Sequence, residues 1–152
     1  MTPETELLLM NASRAQLVRE VIRPALAAGE IVLCDRFYDS TTAYQGYGRQ
    51  LDLGIVKGII DYAVGQTRPH LTLLLLIPQE VSERRRLARQ ATLPFMRDRI
   101  EEADRDFFER VAQGYLAIAA AEPERVRALS AGHDVAQLHE EIWCAVEPLL
   151  PR

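Results

Sequence analysis

Asp35 and Arg36 are adjacent, opposite charges that directly follow the apolar run Ile31–Cys34. That run predicts a short buried strand, and ligands of parallel sheets bind at the carboxyl ends of strands. A carboxylate in such a place can hold hydrated Mg²⁺ or orient a nucleophilic oxygen, and a guanidinium can grip a phosphate through two hydrogen bonds. Taken alone, the dipeptide also fits an ion pair that does no more than mark the strand end.

Arginine supplies almost all of the positive charge of this chain. Of 18 basic residues, 17 are Arg and only Lys57 is Lys, and eight of the arginines lie between Arg84 and Arg110. Guanidinium groups suit phosphate recognition, although a GC-rich genome produces the same bias. The net charge of −4 argues against nonspecific nucleic-acid binding, so we expect no nucleic-acid partner.

Length and composition indicate a single globular domain over residues 1–152. Apolar residues make up 48% of the chain and charged residues 26%, which excludes a disordered protein. No apolar run approaches the roughly 18 residues of a membrane span, so no membrane partner is expected. The first residues lack the basic region of a secretory leader, and two cysteines imply no disulfide framework. We therefore expect a cytoplasmic protein.

Apolar spacing predicts helices that alternate with strands. The predicted strands are Ile31–Cys34, Leu71–Ile77 and Arg125–Leu129. The predicted helices are Thr5–Ala28 (kinked at Pro24, ended by Gly29), Asp52–Gly65, Gln79–Arg89, a helix from Asp98 or Glu101 to Ala120, and a last helix capped by Asp134. A helical turn over Asp39–Gln45 precedes a loop over Gly46–Arg49. This alternation favours an α/β fold with a parallel sheet flanked by helices.

Several linked motifs, in colinear order, resemble the thymidylate kinase family. They are the run from Asp35 to Gly46, Ala12–Val18 upstream of it, Arg68-Pro69 before the second strand, and Asp98–Glu101 before Phe107-Phe108. The resemblance covers roughly residues 6–148. It implies a fold of the P-loop nucleoside-monophosphate-kinase type and an enzyme that transfers a phosphoryl group from ATP, with Mg²⁺, to dTMP.

The resemblance also assigns roles to single residues. Arg36 stands where the family binds the dTMP phosphate, and Asp35 where a carboxylate lies near the phosphates and Mg²⁺. The implied substrate pocket consists of Met10, Arg14, Thr41, Tyr44, Gln45 and Arg49. Within it, Arg14 corresponds to an Arg that hydrogen-bonds thymine, and Tyr44 to a Tyr under the deoxyribose that disfavours a 2′-hydroxyl.

Residues 84–97 look like the start of the family's lid, which closes over the transferred phosphate. Arg85 and Arg89 align best with the lid arginines, whereas Arg84 and Arg86 also fit a solvated helix face. The resemblance therefore gives three candidate catalytic residues, Arg36, Asp35 and Arg89, with Asp35 as the metal ligand.

The chain departs from the family pattern at three points. It contains no Gly-x-x-x-x-Gly-Lys-Ser/Thr loop, and its only lysine, Lys57, has no Ser or Thr after it. We therefore expect the family's N-terminal strands to be missing here and the activity of this chain alone to be impaired. The strands that remain would either close up or pair with another peptide, because unpaired backbone groups are costly. Met10 replaces a stacking Phe, and Leu76 replaces an Asp.

The principal hypothesis is a thymidylate kinase that makes dTDP from dTMP and ATP. The alternative is a non-catalytic, degenerate or fragmentary module that binds a nucleotide weakly or serves as an interaction partner. Among enzymes, Met10 is also compatible with a kinase that acts on another deoxynucleotide. The dimers of the family also suggest a homodimer through helices 5–28 and 52–65.

Overall fold

A computed structural model describes residues 1–78, 80–82, 84–85, 88, 105–132 and 134–150. These residues belong to two compact units. The first comprises Met1–Pro69 and Arg105–Ile118, and the second comprises His70–Asp104 and Ala119–Arg152. No helix within the described ranges is long and apolar enough to cross a bilayer. The single domain suggested for residues 1–152 stays a prediction.

The described elements are helices and two strands. In chain order they are α1 (Pro3–Leu17), a π-helix (Val18–Ile22), α2 (Arg23–Ala27), α3 (Tyr38–Thr41), a second π-helix (Thr42–Gly48), α4 (Leu53–Val64), β1 (Thr72–Leu76), α5 (Arg105–Ala121), β2 (Val126–Ser130), α6 (Val135–Val146) and a 3₁₀ turn (Glu147–Leu149). Residues 80–82, 84–85 and 88 are helical as well, within the helix predicted for Gln79–Arg89. The predicted start of the next helix, at Asp98 or Glu101, lies outside the described residues.

The chain opens with one long helix whose geometry changes ahead of a proline. Thr2 caps α1 by accepting a hydrogen bond from the N–H of Thr5. Pro24 has no N–H to donate, and its ring would strike the carbonyl four residues earlier. The wider π-helix lies where this conflict arises, between α1 and α2. Gly29, at φ +78°, then ends the helix. The predicted first helix is confirmed.

The segment before the candidate site differs from the prediction. Ile31–Cys34 forms no strand, and two of its large side chains face solvent, with Ile31 70% and Leu33 97% exposed. Cys34 is exposed too, although the pattern predicts a buried strand residue. A short apolar run becomes a strand only when a neighbour pairs with its backbone. The sheet of the described residues consists of β1 and β2 alone, so it offers this run no such pairing.

The helix α3 continues directly into the second π-helix. This π-helix includes Gly46 and Gly48, for which the sequence predicts a loop. Here the glycines serve close packing. A Cβ atom on Gly48 would lie 2.7 Å from Cε2 of Phe107, and one on Gly114 would lie 2.8 Å from Cγ of Tyr47. Only glycine lets the π-helix and α5 approach this closely. The loop predicted for Gly46–Arg49 is therefore wrong for most of its length.

The helix α4 supplies the apolar face on which the first unit is built. Asp52 caps it by accepting a hydrogen bond of 2.9 Å from the N–H of Ile55, and Gly65, at φ +57°, ends it. Its buried side chains join those of the first helix and of Tyr38 in one core. The core consists of Leu7, Val18, Ile22, Tyr38, Val56, Ile60, Ala63 and Val64.

Two arginines of the first helical segment bind the carboxyl end of α4. Arg19 Nη1 donates to the carbonyl oxygen of Ala63 at 3.0 Å, and Arg23 Nη2 donates to that of Val64 at 3.3 Å. The last carbonyls of a helix have no partner within the helix and carry partial negative charge. These two arginines therefore stabilise the fold, which accounts for part of the arginine excess.

The second unit contains a two-stranded parallel sheet. The strand β1 pairs with β2 from Thr72 opposite Val126 to Leu76 opposite Ser130. The strands predicted for residues 71–77 and 125–129 are thus confirmed to within one residue, and so is their parallel arrangement. Asp134 caps α6 as predicted, accepting a hydrogen bond of 2.9 Å from the N–H of Gln137.

Close packing at Gly114 predicts an unusual response to alanine. Alanine normally stabilises a helix interior by up to about 1 kcal/mol relative to glycine. The free energy of unfolding of Gly114→Ala should instead be about 1–3 kcal/mol lower than this preference gives, because the new methyl group clashes with the Tyr47 ring. Gly58 on α4 is the matched control, since a Cβ there would meet nothing within 4 Å. Urea unfolding of both variants measures the difference, and a Gly114→Ala protein as stable as Gly58→Ala would contradict the packing argument.

Candidate functional site

Arg36, the residue predicted to bind phosphate, lies in a strained loop conformation. Its φ angle of +62° is in the left-handed region, which costs a non-glycine residue about 1–2 kcal/mol. Its guanidinium lies 4.9 Å from the centre of the Tyr44 ring, and Nη2 donates a hydrogen bond of 3.1 Å to the Tyr44 hydroxyl. Strain of this kind clusters at functional sites, where the surrounding structure maintains it. Tyr44 thus fixes the direction of the Arg36 side chain.

The neighbours of Arg36 favour its charged form. Partial burial works against the charge, but Tyr44, Tyr115 and Asp35 outweigh it and raise the pKa of the guanidinium overall. Asp35 itself is exposed. A guanidinium that is held in place, partly shielded from water and fully charged is well suited to bind a phosphate.

An aromatic wall lies beside Arg36. The ring of Tyr44 meets that of Tyr115 edge to face, with centres 6.3 Å apart, and meets that of Phe107 at 6.0 Å. The hydroxyls of Ser40 and Tyr115 share a hydrogen bond of 2.9 Å. Burial raises the pKa of Tyr115, and the bond to Ser40 offsets only part of that rise. The Tyr115 hydroxyl therefore stays protonated at neutral pH.

On α1, Arg14 contacts the residue immediately after Arg36. Its Nη1 donates to Oδ1 of Asn11 at 2.9 Å, and its Nη2 donates to the carbonyl oxygen of Phe37 at 3.2 Å. The guanidinium also lies 5.7 Å from the centre of the Phe37 ring. Burial lowers the pKa of Arg14. Met10, one turn earlier, is 43% exposed. The structure thus brings Arg14 to the loop that carries Arg36.

Gln45 and Arg49, both predicted in the pocket, bind a buried carboxylate. Glu6, which is 1% exposed, accepts a hydrogen bond of 2.8 Å from Gln45 Nε2. It also accepts two from Arg49, at 3.2 Å from Nε and 3.1 Å from Nη2. Thr41, the remaining predicted pocket residue, is buried in α3, one turn before Gln45. The predicted pocket residues therefore lie on α1, on α3, on the π-helix that follows and, for Arg49, directly after that helix.

Sequence reasoning missed Glu6, Ser40, Phe107 and Tyr115. Phe107 and Tyr115 do share a signal with Val111, since the three recur at intervals of four on one face of α5. That spacing indicates a contact face but not what it contacts. Glu6 carries no local signal, because a glutamate in the first turn of a helix is usually an exposed residue that interacts with the helix dipole.

Asp35 is the candidate ligand for Mg²⁺. In the part of the chain that the structure describes, no three His, Cys, Asp or Glu side chains are grouped so as to hold a metal ion. One exposed carboxylate fits Mg²⁺ that is held mainly by substrate phosphates and water, as is usual in kinases. It does not fit a metal site built from protein ligands alone.

Of the lid-like segment over residues 84–97, the structure describes Arg84, Arg85 and Ala88. Arg85 is helical and exposed in the second unit. Arg89, with most of residues 84–97, lies outside the described residues. The roles assigned to both arginines stay predictions.

The strain at Arg36 predicts a reversed order of stability for two substitutions. Arg36→Gly should be about 1–2 kcal/mol more stable than Arg36→Ala, because glycine adopts the left-handed region without strain and both variants lose the same side chain. The neighbouring pair Asp35→Gly and Asp35→Ala is the control, since Asp35 has no positive φ and should show the usual preference for alanine. Urea unfolding of the four variants measures the difference in stability between glycine and alanine at each position. A preference for alanine at both positions would contradict the strain.

The comparisons with known proteins agree with each other. The chain matches the family model described as thymidylate kinase over residues 1–142. The thymidylate kinase of Synechococcus sp. (strain JA-2-3B'a(2-13)) is 49% identical over 150 residues, which cover 99% of this chain and 69% of that protein. The thymidylate kinase of Geobacter sp. (strain M21) is 50% identical over 137 residues, which cover 90% and 61%.

A solved structure, that of thymidylate kinase from Ehrlichia chaffeensis, matches with a TM-score of 0.72 and 27% identity over 97% of this chain and 66% of the other. This chain spans about two thirds of the length of its relatives. The resemblance carried by the motifs is therefore confirmed, as is the α/β fold of the P-loop nucleoside-monophosphate-kinase type with its parallel sheet. A match over residues 1–142, together with relatives that are nearly half identical, shows that the chain belongs to the thymidylate kinase family.

Proposed function

We propose that this protein binds dTMP and ATP and transfers the γ-phosphoryl group of ATP to dTMP, which yields dTDP. The observation that supports this best is Arg36. Its charged guanidinium is held against Tyr44 by a hydrogen bond and by stacking, on a backbone in a strained conformation. Holding a phosphate is the function that accounts for such a costly arrangement at this point of the chain.

In the proposed acceptor site, a different side chain contacts each part of dTMP. Arg36 binds the 5′-phosphate through two parallel hydrogen bonds. Tyr44, fixed by the rings of Phe107 and Tyr115, lies under the deoxyribose and leaves little room for a 2′-hydroxyl. Arg14 uses two N–H donors on Asn11 and Phe37. A guanidinium has five donors, so others remain for the thymine.

The proposed transfer depends on position and charge more than on covalent chemistry. Mg²⁺ bound with ATP would neutralise negative charge on the phosphates, and Asp35 would hold that ion together with the phosphates. Arg36 keeps the acceptor oxygen of dTMP in place. Arg89, with Arg85, is the proposed partner of the transferred phosphoryl group.

A nucleotide-binding module without phosphoryl transfer is the second candidate. It is favoured by one observation: these 152 residues contain no Gly-x-x-x-x-Gly-Lys-Ser/Thr loop for the donor phosphates. The two candidates share the dTMP site and differ in ADP release. The absence of nucleic-acid and membrane partners and a cytoplasmic location stay predictions.

A phosphate role for Arg36 predicts selective loss of affinity. Arg36→Ala should weaken dTMP binding about tenfold to over a hundredfold, since a hydrogen bond to a charged group contributes about 1.5–3 kcal/mol. Thymidine, which has no phosphate, should bind almost as before. Arg36→Lys should restore only part of the dTMP affinity, because a point charge cannot form the bidentate contact. Titration calorimetry with both ligands measures these changes.

The control for this titration is Arg127→Ala, which removes one exposed positive charge from β2. It should leave both affinities unchanged. Equal losses of affinity for dTMP and thymidine in Arg36→Ala would mean that Arg36 only stabilises its loop, through contacts with Asp35 or Tyr44. The phosphate role would then be abandoned.

We also propose a homodimer that uses residues 5–28 and 52–65. Both segments expose large apolar side chains, including Leu9 at 58%, Ile55 at 63% and Tyr62 at 85%. Exposed apolar patches often mark interfaces. Tyr62→Glu should shift the protein from dimer to monomer in analytical ultracentrifugation. Val135→Glu, equally exposed at 85% on α6, should not; a monomeric unaltered protein would refute the dimer.

A further inference from the structure

Glu6 is a charged side chain that is almost completely removed from water. Its side chain is 2% exposed, and the ion pair with Arg49 measures 3.1 Å between Oε2 and Nη2. An isolated buried carboxylate is very unfavourable, so such a group persists only where its oxygens are paired. Here both oxygens accept hydrogen bonds, Oε1 from Gln45 and from Nε of Arg49, and Oε2 from Nη2 of Arg49.

This carboxylate joins the two helical elements that carry the predicted pocket. On α1, Glu6 lies one turn before Met10 and two turns before Arg14, so the three lie along one side of the helix. On the other element, Gln45 directly follows Tyr44, and Arg49 is the residue that follows the π-helix. The distance between the base-binding and sugar-binding sides of the proposed site is therefore fixed at Glu6.

The contacts of Arg49 continue to Arg36. The guanidinium of Arg49 lies 4.5 Å from the centre of the Phe107 ring. That ring meets Tyr44 edge to face, and Tyr44 holds Arg36 by a hydrogen bond and by stacking. Nε and one terminal nitrogen of Arg49 are used on Glu6, so this side of its guanidinium faces the protein.

From these contacts we propose that Glu6 is a positioning residue for the nucleotide site: it holds Gln45 through Nε2, and Arg49 acts through Glu6 instead of contacting the substrate. The proposal rests on the proposed function, because it takes dTMP as the ligand of the site. Two other roles make different predictions. In one, the cluster only stabilises the fold; in the other, Arg49 contacts the nucleotide directly.

The test uses near-isosteric substitutions that remove charge from the pair. Glu6→Gln leaves the Arg49 charge buried without its partner, whereas the double variant Glu6→Gln/Arg49→Gln removes both charges. Asp61→Asn is the control, a change from carboxylate to amide in an exposed ion pair with Lys57 and Arg68. Titration calorimetry with dTMP and with thymidine is carried out where urea curves show each variant fully folded.

Glu6→Gln should weaken dTMP and thymidine alike, by roughly twofold to a hundredfold, the range for coupled residues of one network. This equal loss differs from the selective loss expected for Arg36→Ala. The double variant should bind both ligands no more weakly than Glu6→Gln, because Arg49 acts through Glu6, and Asp61→Asn should change neither affinity. Unchanged affinities in folded Glu6→Gln would overturn the proposal in favour of a purely structural cluster. Additive losses in the double variant would overturn it in favour of direct contact by Arg49.

A readout that needs no ligand separates this proposal from the proposed function. In native-state hydrogen exchange, Glu6→Gln should speed exchange in α1 and in the π-helix over Thr42–Gly48, and leave β1 and β2 as they were. If the unaltered chain binds neither ligand, the proposed function fails, and the exchange pattern tests separately whether Glu6 joins these two helical elements. Faster exchange throughout the chain would then overturn this role.

Discussion

A carboxylate can be buried only if its charge is paired, and Glu6, which is 1% exposed, is paired with Arg49 in the first unit. The first helix can take its place only where the guanidinium of Arg49 and the amide of Gln45 reach that carboxylate. The apolar core on the same helix, around Leu7 and Val18, is compatible with many small shifts, because apolar packing has no preferred direction. The hydrogen bonds to Glu6 have fixed lengths and directions, so they select one arrangement.

Glycines allow the other half of the site to form around this pair. The π-helix that carries Tyr44 and Gln45 lies close to α5 because Gly48 and Gly114 have no side chains to separate them. The short distance brings Phe107 and Tyr115 against Tyr44, and Tyr44 in turn holds the strained Arg36. Polar pairing thus fixes one side of the proposed site, and close backbone packing fixes the other.

The arginines of this chain have different tasks, although their chemistry is the same. Arg19 and Arg23 bind the carboxyl end of α4, and Arg49 neutralises a buried acid. Arg36 is held by Tyr44 through one of its terminal nitrogens and is the proposed phosphate ligand. Residue type alone does not separate these tasks, because what distinguishes them is the group that each guanidinium meets.

The sequence by itself determined the helices α1, α4 and α6, the strands β1 and β2, the caps of α4 and α6 at Asp52 and Asp134, and the family. Periodicity, capping and linked motifs are local or colinear properties. Only the tertiary structure decided that residues 31–34 form no strand in the described sheet, since strand formation depends on a partner. It also decided that Gly46 and Gly48 continue a helix and that Glu6 and Tyr115 contact residues of the candidate site. Those outcomes depend on contacts between residues that lie about 40 to 75 positions apart, such as Glu6 with Gln45 and Ser40 with Tyr115, and no local pattern records such contacts.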